Sequence, residues 1–249
     1  MSVSITTCLY RRVEFLPNLI AMVRAQDYPH ALTEWLLLDD SPEPTALFKT
    51  LPLHSAQREG VHAFDLDGIA VYYYHQATKI PLGAKRNILN QKAQGDYIVI
   101  FDDDDYYPPT RISHGVARLR EHPGLALAGA NRMYMAFGPL IYEVGPYGPN
   151  HATGASLMYT RQYAQTHRFD GTNVAEESPF TNHWTEPLVP LDSRQSLLAM
   201  AHGRNTINKW DYLRPEKGYL NRVIHLTNLK LSDFIRPEGP IYAFFNGLV

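Results

Sequence analysis

Apolar and polar positions follow two alternating periods along the first 130 residues. Val3 to Thr7 reads as a short strand. Glu14 to Gln26 has a helical repeat that puts Phe15, Leu16, Leu19, Ile20 and Val23 on one face. Glu34 to Leu38 is a run suited to a buried strand, and residues 41–60 are Pro-rich and irregular, with a short helix around Ala46. Ile69 to Tyr74 predicts a strand, Gly83 to Gln94 a helix, and the apolar run Tyr97 to Phe101 a buried strand. Pro109 to Glu121 predicts a helix with Pro near its start and Ile112, Val116 and Leu119 in register. Leu125 to Ala130 returns as a strand. Strands alternating with helices imply an α/β fold, a mainly parallel sheet with helices on both faces.

The second half is patterned differently. Met133 to Phe137 and Leu140 to Val144 flank Gly138-Pro139 and predict a hairpin. Ala155 to Tyr159 and Leu197 to Ala201 are further strand candidates between long polar, Pro-containing loops. Leu229 to Val249 carries Phe234, Tyr242, Phe244 and Phe245 and is expected to dock on the core. No repeat or linker divides the chain. It reads as one domain over residues 1–249, an α/β half (1–125) packed on a more irregular half (126–249).

Composition narrows the classes. The 249 residues are 45% hydrophobic and 19% charged, so a buried core is expected. Lys and Arg total 23 against 25 Asp and Glu, a net charge of −2 that argues against a nucleic-acid partner. Cys8 is the only cysteine, which excludes an intrachain disulfide and a Cys-based zinc site. No apolar run reaches about 18 residues, and Met1 to Ile5 reads as strand rather than as a signal peptide. These features predict a soluble, cytoplasmic protein without a transmembrane segment. Oligomeric state is not legible.

Two acidic clusters end strands. Asp39-Asp40 follows Trp35 to Leu38, and Asp102-Asp103-Asp104-Asp105 follows Tyr97 to Phe101. Ligands of open parallel sheets bind outside the carboxyl ends of the strands. Two like charges 4 Å apart repel by roughly 1 kcal/mol in water and roughly 4 kcal/mol at an effective dielectric of 20. Four adjacent aspartates therefore call for a cation, and carboxylates suit Mg²⁺ and Mn²⁺ shared with phosphate oxygens. The alternative is a solvated acidic loop, or an N-terminal cap for the Pro109 helix. Arg11-Arg12 after the first strand, with Lys79, Lys85 and Arg86 around Gly83, suit an anion at a helix start. Together with a metal, they suggest a diphosphate.

The order of these motifs resembles the family 2 glycosyltransferases of the GT-A fold. The chain runs Cys8-Leu9-Tyr10-Arg11-Arg12, Gln26-Asp27-Tyr28-Pro29, Trp35 to Asp40, Gly83-Ala84-Lys85-Arg86-Asn87, then Gly95-Asp96-Tyr97 to Asp105. The likeness covers roughly residues 3–125, with Arg11 where Asn is usual. It continues more faintly in His151 to Ser156, in Arg168-Phe169-Asp170 with Glu176-Glu177, and in His202-Gly203-Arg204-Asn205. The resemblance implies a GT-A nucleotide-binding half, an acceptor-side half, and transfer of a sugar from a nucleotide-sugar to a hydroxyl of a glycan or other acceptor, with inversion. UDP-sugars are favoured as donor.

The roles it implies are these. Tyr10 and Asp40 hold the nucleobase, with Asp39 assisting. Lys85, Arg86, Arg12 and Arg204 serve the base pocket and the diphosphate. Asp102 and Asp104 are the two acids of a D-x-D motif, and Asp103 lies toward the ribose. His202 completes the site of a divalent cation, Mn²⁺ or Mg²⁺, or contacts phosphate. Glu177 is the base, with Glu176 in reserve, although the family commonly has Asp at the second place. Peripheral membrane contact is open. Alternatives are a non-catalytic nucleotide- or sugar-binding protein of the same fold and a sugar nucleotidyltransferase, whose Gly-rich first loop is missing here. A dehalogenase-type phosphatase is disfavoured because Tyr106 stands at the fifth motif place.

Overall fold

The computed structural model describes residues 1–55, 61–219 and 222–248. Its first half builds β1 (Val3–Leu9), α1 (Leu16–Arg24), β2 (Thr33–Asp39), β3 (His62–Leu66), β4 (Ile69–His75), α2 (Leu82–Lys92), β5 (Tyr97–Ile100), α3 (Arg111–Glu121) and β6 (Leu127–Gly129). The second half adds the hairpin β7 (Met133–Phe137) and β8 (Leu140–Val144), β9 (Met158–Thr160), α4 (Arg161–Thr166) and α5 (Glu177–Phe180). It ends with β10 (Val189–Pro190), β11 (Leu198–Met200), β12 (Ile224–Leu226) and α6 (Pro240–Gly247).

Eight strands form the main sheet, in the order β10-β6-β9-β5-β1-β2-β4-β3. β1 runs parallel to both β2 and β5, and β2 parallel to β4. β3 and β9 are antiparallel to their neighbours. Alternate residues of the central strands face opposite ways, so each side carries its own apolar layer. Val3, Ile5, Trp35, Leu37, Val99 and Phe101 pack with α1 and α3. Leu36 and Leu38 pack with Leu89 of α2, and Ile98 and Ile100 with Tyr163 of α4. Helices thus cover both faces, as the period predicts. A second sheet, β11-β7-β8-β12, is tied to the segment after β5 by a bridge between Tyr106 and Leu198.

Three expectations are corrected. Ala155 to Tyr159 does not run as a strand: Gly154–Ser156 is a 3₁₀ turn and pairing starts at Met158. Arg111, fully buried, donates to the carbonyls of Ser156 and Leu157 there, which takes the turn out of the ladder. β3 lies between the irregular stretch 41–60 and the strand at Ile69, where the sequence pattern predicts no element. Its hydrogen bonds come from β4 by a hairpin closed at Asp67-Gly68, where Asp67 has φ +51° and Gly68 φ +93°. None of the four aspartates caps α3, whose N-cap is Thr110 without a side-chain bond. The possible helix near Ala46 is a 3₁₀ turn at Leu47–Thr50, and the C-terminal aromatics do dock, with Phe245 only 1% exposed.

Candidate active site

β1, β2 and β5 are parallel neighbours, so their carboxyl ends open on one edge. That edge collects Tyr10 to Arg12, Asp39-Asp40 and Asp102 to Asp105. Arg11 has φ +53° and donates its N–H to Ser41 Oγ at 2.7 Å, turning the chain sharply out of β1.

Of the cavities along this edge, two meet at the acidic rim. One, of about 630 Å³, is lined by Tyr10, Arg11, Arg12, Lys79, Lys85, Asp103 and Arg204. The other, of about 420 Å³, is lined by Arg86, Asp105, Tyr147, His151, Glu176, Glu177, Lys209 and Tyr212. Asp102, Asp104 and Asn205 line both, so the acidic rim is their common wall. The two sequence halves interleave here, since Gly203 to Thr206 border the first cavity and Leu82 and Arg86 the second.

On the cationic side, the Lys79 ammonium stands 4.1 Å from the centre of the Tyr10 ring. Lys85 donates to Asp40 Oδ1 at 2.8 Å and to the Leu9 carbonyl at 3.1 Å. Asp40 is fully buried and also accepts the Ile80 N–H, so it acts on the cavity through Lys85 rather than from its wall. Asp39 accepts the Tyr73 hydroxyl and the Ser41 N–H, fixing the loop after β2. Arg12 donates to Asp104 Oδ2 at 2.8 Å and to the Arg204 carbonyl at 2.6 Å. Arg204 reaches back to the Arg11 carbonyl and pairs with Glu14. Beneath the rim the Cys8 thiol is pushed up to about 12 by burial, which leaves it inert.

The rim acids have separate partners. Asp102 takes Arg86 Nη2 at 3.0 Å, and its own N–H donates to Tyr107 Oη at 2.7 Å. Asp103 is raised well above the usual range by burial and by Asp104. Burial works against Asp104 as well, but the His202 bond, Lys209 and Arg12 overcome it and hold Asp104 below the usual range. Asp105 is pushed up to about 6 by burial, against the pull of Lys209 at 3.1 Å. His202 brings Nε2 within 3.1 Å of Asp104 Oδ2, and its ring leans on Phe15 at 5.1 Å between centroids. Asn205 ties the pair, donating to Asp104 Oδ2 at 3.1 Å and accepting the His202 N–H at 2.8 Å.

Among the described residues no three His, Cys, Asp or Glu side chains form a metal cage. A cation that takes phosphate oxygens needs only one or two protein ligands. Asp104, held ionised, with the His202 imidazole beside it fits that requirement. Asp102, bound through both oxygens to Arg86, fits it less well.

The two glutamates differ in kind. Glu176 is 5% exposed and receives Arg86 Nε at 3.0 Å. Glu177 forms no ion pair among the described residues, and burial, then the Glu176 charge, raises it above the usual carboxylate range. Gly154 lies beside it, and a Cβ there would only touch the Glu177 carboxyl carbon at 3.5 Å. Sequence reasoning missed Asn205, Lys209, Tyr147 and Tyr212 as site residues. Asn205 lies inside the His202 segment that carries the resemblance; the others arrive from loops whose exact path the pattern does not determine.

Residues 4–141, more than half the chain, match the profile of Glycosyl transferase family 2. The chain belongs to this family. No curated protein sequence matches it. Among solved structures, this family 2 member is similar to S. aureus TarS 1-349 in complex with UDP-GlcNAc (TM-score 0.64, 16% identity, 82% of this chain and 60% of that one). It is similar also to the mannosyltransferase PcManGT of Pyrobaculum calidifontis in complex with GDP-Man and Mn²⁺ (TM-score 0.57, 13% identity, 82% and 58%). A longer TarS structure aligns at TM-score 0.60 and 16% identity, over 80% of this chain and 37% of that one. The shared feature at these identities is the GT-A fold, and the chain spans about 37–60% of the length of these three proteins.

Proposed function

We propose that this family 2 member is a metal-dependent glycosyltransferase. It moves a hexosyl group, from a UDP-sugar by preference, to an acceptor hydroxyl with inversion. The observation that carries the reading is the common wall. Asp102 and Asp104 border at once a cavity rich in cations, with Tyr10 in its lining, and a cavity that holds Glu177. A diphosphate in the first would meet Arg12, Lys85 and Arg204, and its sugar would cross the acids into the second. UDP-GlcNAc beside TarS, and GDP-Man with Mn²⁺ beside PcManGT, support a nucleotide-sugar donor and a divalent companion.

In this reading Tyr10 packs on the nucleobase, while Asp39 and Asp40 hold the base loop and Lys85. Arg86 braces Asp102 against Glu176, and Asp103 lies toward the ribose. Asp104 and His202 would hold Mn²⁺ or Mg²⁺, with Asp102 as the second acid. When bound, the cation stabilises charge developing on the leaving diphosphate. Glu177 takes the proton of the acceptor hydroxyl as that oxygen bonds to the anomeric carbon. The bond from that carbon to the diphosphate oxygen breaks, and the nucleoside diphosphate leaves with the electron pair. Glu176, committed to Arg86, is the weaker base candidate. Attack from the Glu177 side, opposite the diphosphate, inverts the centre.

Glu177→Gln should lower kcat by about 10²–10⁴-fold with donor affinity retained. Asp104→Ala should abolish the divalent-dependent part of UDP-sugar binding in titration calorimetry. Turnover near the wild-type rate in Glu177→Gln rejects the base. Donor binding indifferent to EDTA rejects the cation.

A further inference from the structure

The cavity around Glu177 carries a charge pattern and a lining that sugar transfer as such does not require. Five carboxylates face it: Asp102, Asp104, Asp105, Glu176 and Glu177. Its two cationic side chains are already committed, Arg86 to Asp102 and Glu176, and Lys209 to Asp105. Arg12 pairs with Asp104 from the neighbouring cavity, so the surplus is two negative charges, and a divalent cation on the rim would arrive with the negative charge of the donor diphosphate. A phosphate or carboxylate entering here meets like charge at short range in a half-buried setting, where screening is weak.

The outer wall is aromatic. The Tyr147 ring lies 4.7 Å from His151, and His151 lies 4.1 Å from Trp184. Tyr212, also in the lining, packs 5.3 Å from Tyr219. Burial, then the nearness of Tyr212 and Glu177, raises the Tyr147 hydroxyl. Tyr212 is raised by burial, with Tyr219 and Glu177 adding to it. Both tyrosines line the same cavity as Glu177. His151 Nδ1 is buried without a hydrogen-bond partner among the described residues, and such an atom marks a place where a ligand or water supplies one. Met133, Met135, Leu197 and Ala199 add an apolar surface.

We propose that the acceptor is an uncharged saccharide whose ring lies against Tyr147 and Tyr212 with one hydroxyl at Glu177, and that phosphorylated acceptors are turned away. The inference rests on the donor and base assignments above. A pyranose ring combines a face of weakly positive C–H groups, which suits the negative face of an aromatic ring, with an edge of hydroxyls that needs hydrogen bonds but no counter-charge. A prenyl phosphate would place its anion among the five acids.

Saturation-transfer NMR on the full chain with UDP and Mn²⁺ tests this. The probes are methyl glycosides and neutral disaccharides of glucose, N-acetylglucosamine, galactose and mannose, set beside their 6-phosphates and farnesyl phosphate. At least one neutral probe should bind, and its phosphorylated counterpart about ten-fold more weakly or worse. Tyr147→Ala and Tyr212→Ala should each weaken the neutral probe about five- to ten-fold, and Tyr147→Phe much less. Thermal melting checks that the variants are folded, and the charge comparison needs only the wild-type protein. The proposal is overturned by no binding of any neutral probe, by equal or tighter binding of the phosphates, or by affinities indifferent to both tyrosines in folded variants. Failure of UDP-GlcNAc and other nucleotide sugars to bind the wild-type protein in calorimetry would instead sink the donor reading.

Discussion

Adjacent glutamates in one short helix turn have been given opposite surroundings. Glu176 points its charge at Arg86, and Glu177 is left half-desolvated beside that charge. A base works in its ionised form, so a raised Glu177 means that transfer fails as pH falls, with the acidic limb of kcat above the ordinary carboxylate range. Glu176→Gln removes the neighbouring charge. The limb should then move to lower pH, while Arg86 keeps Asp102. A pH–rate profile of the two proteins checks this, and an unmoved limb denies the coupling. The same contrast runs through the rim, where His202 and Arg12 keep Asp104 ionised while Asp103 and Asp105 are pushed the other way. Sequence could name these residues, but not which neighbour would face each one. That choice depends on angstrom-scale placement of Arg12, Arg86 and Lys209.

At the level of elements, α2 sets the cationic wall because its first turn meets the segment before α5 without a gap. A Cβ on Gly83 would come 1.7 Å from the Asp170 carbonyl oxygen and 3.1 Å from the Glu176 Cβ. Gly→Ala inside a helix ordinarily stabilises by roughly 1 kcal/mol. Here overpacking against backbone reverses the sign, and Gly83→Ala should cost about 1–3 kcal/mol, read as a lower Tm. Lys85 and Arg86, one turn on, should shift with the helix, and donor affinity should fall alongside. The helical period of residues 83–94 was plain in the sequence. The reason for glycine at its start was not, because Asp170 lies far along the chain and only the packed fold brings it there.

On the scale of the molecule, the C-terminal helix closes the back of the site. Phe245, almost fully buried, meets Tyr106 edge-on at 6.2 Å. Phe244 meets Phe15 at 5.5 Å, and Phe15 carries the His202 ring. Phe245→Ala should cost about 3–5 kcal/mol, a Tm drop of about 10 °C. An unchanged melt would mean that α6 is not part of the cooperative unit. The main sheet was legible from sequence because strand and helix periods are local, and the crossover rules then leave few ways to order parallel strands. The acids at its rim were legible because strand ends lie on one edge whatever the loops do. β3, the 3₁₀ turn at Gly154 and the Tyr147–Tyr212 wall were decided only in three dimensions. Their hydrogen bonds and contacts come from residues distant in the chain, and no local period records such partners.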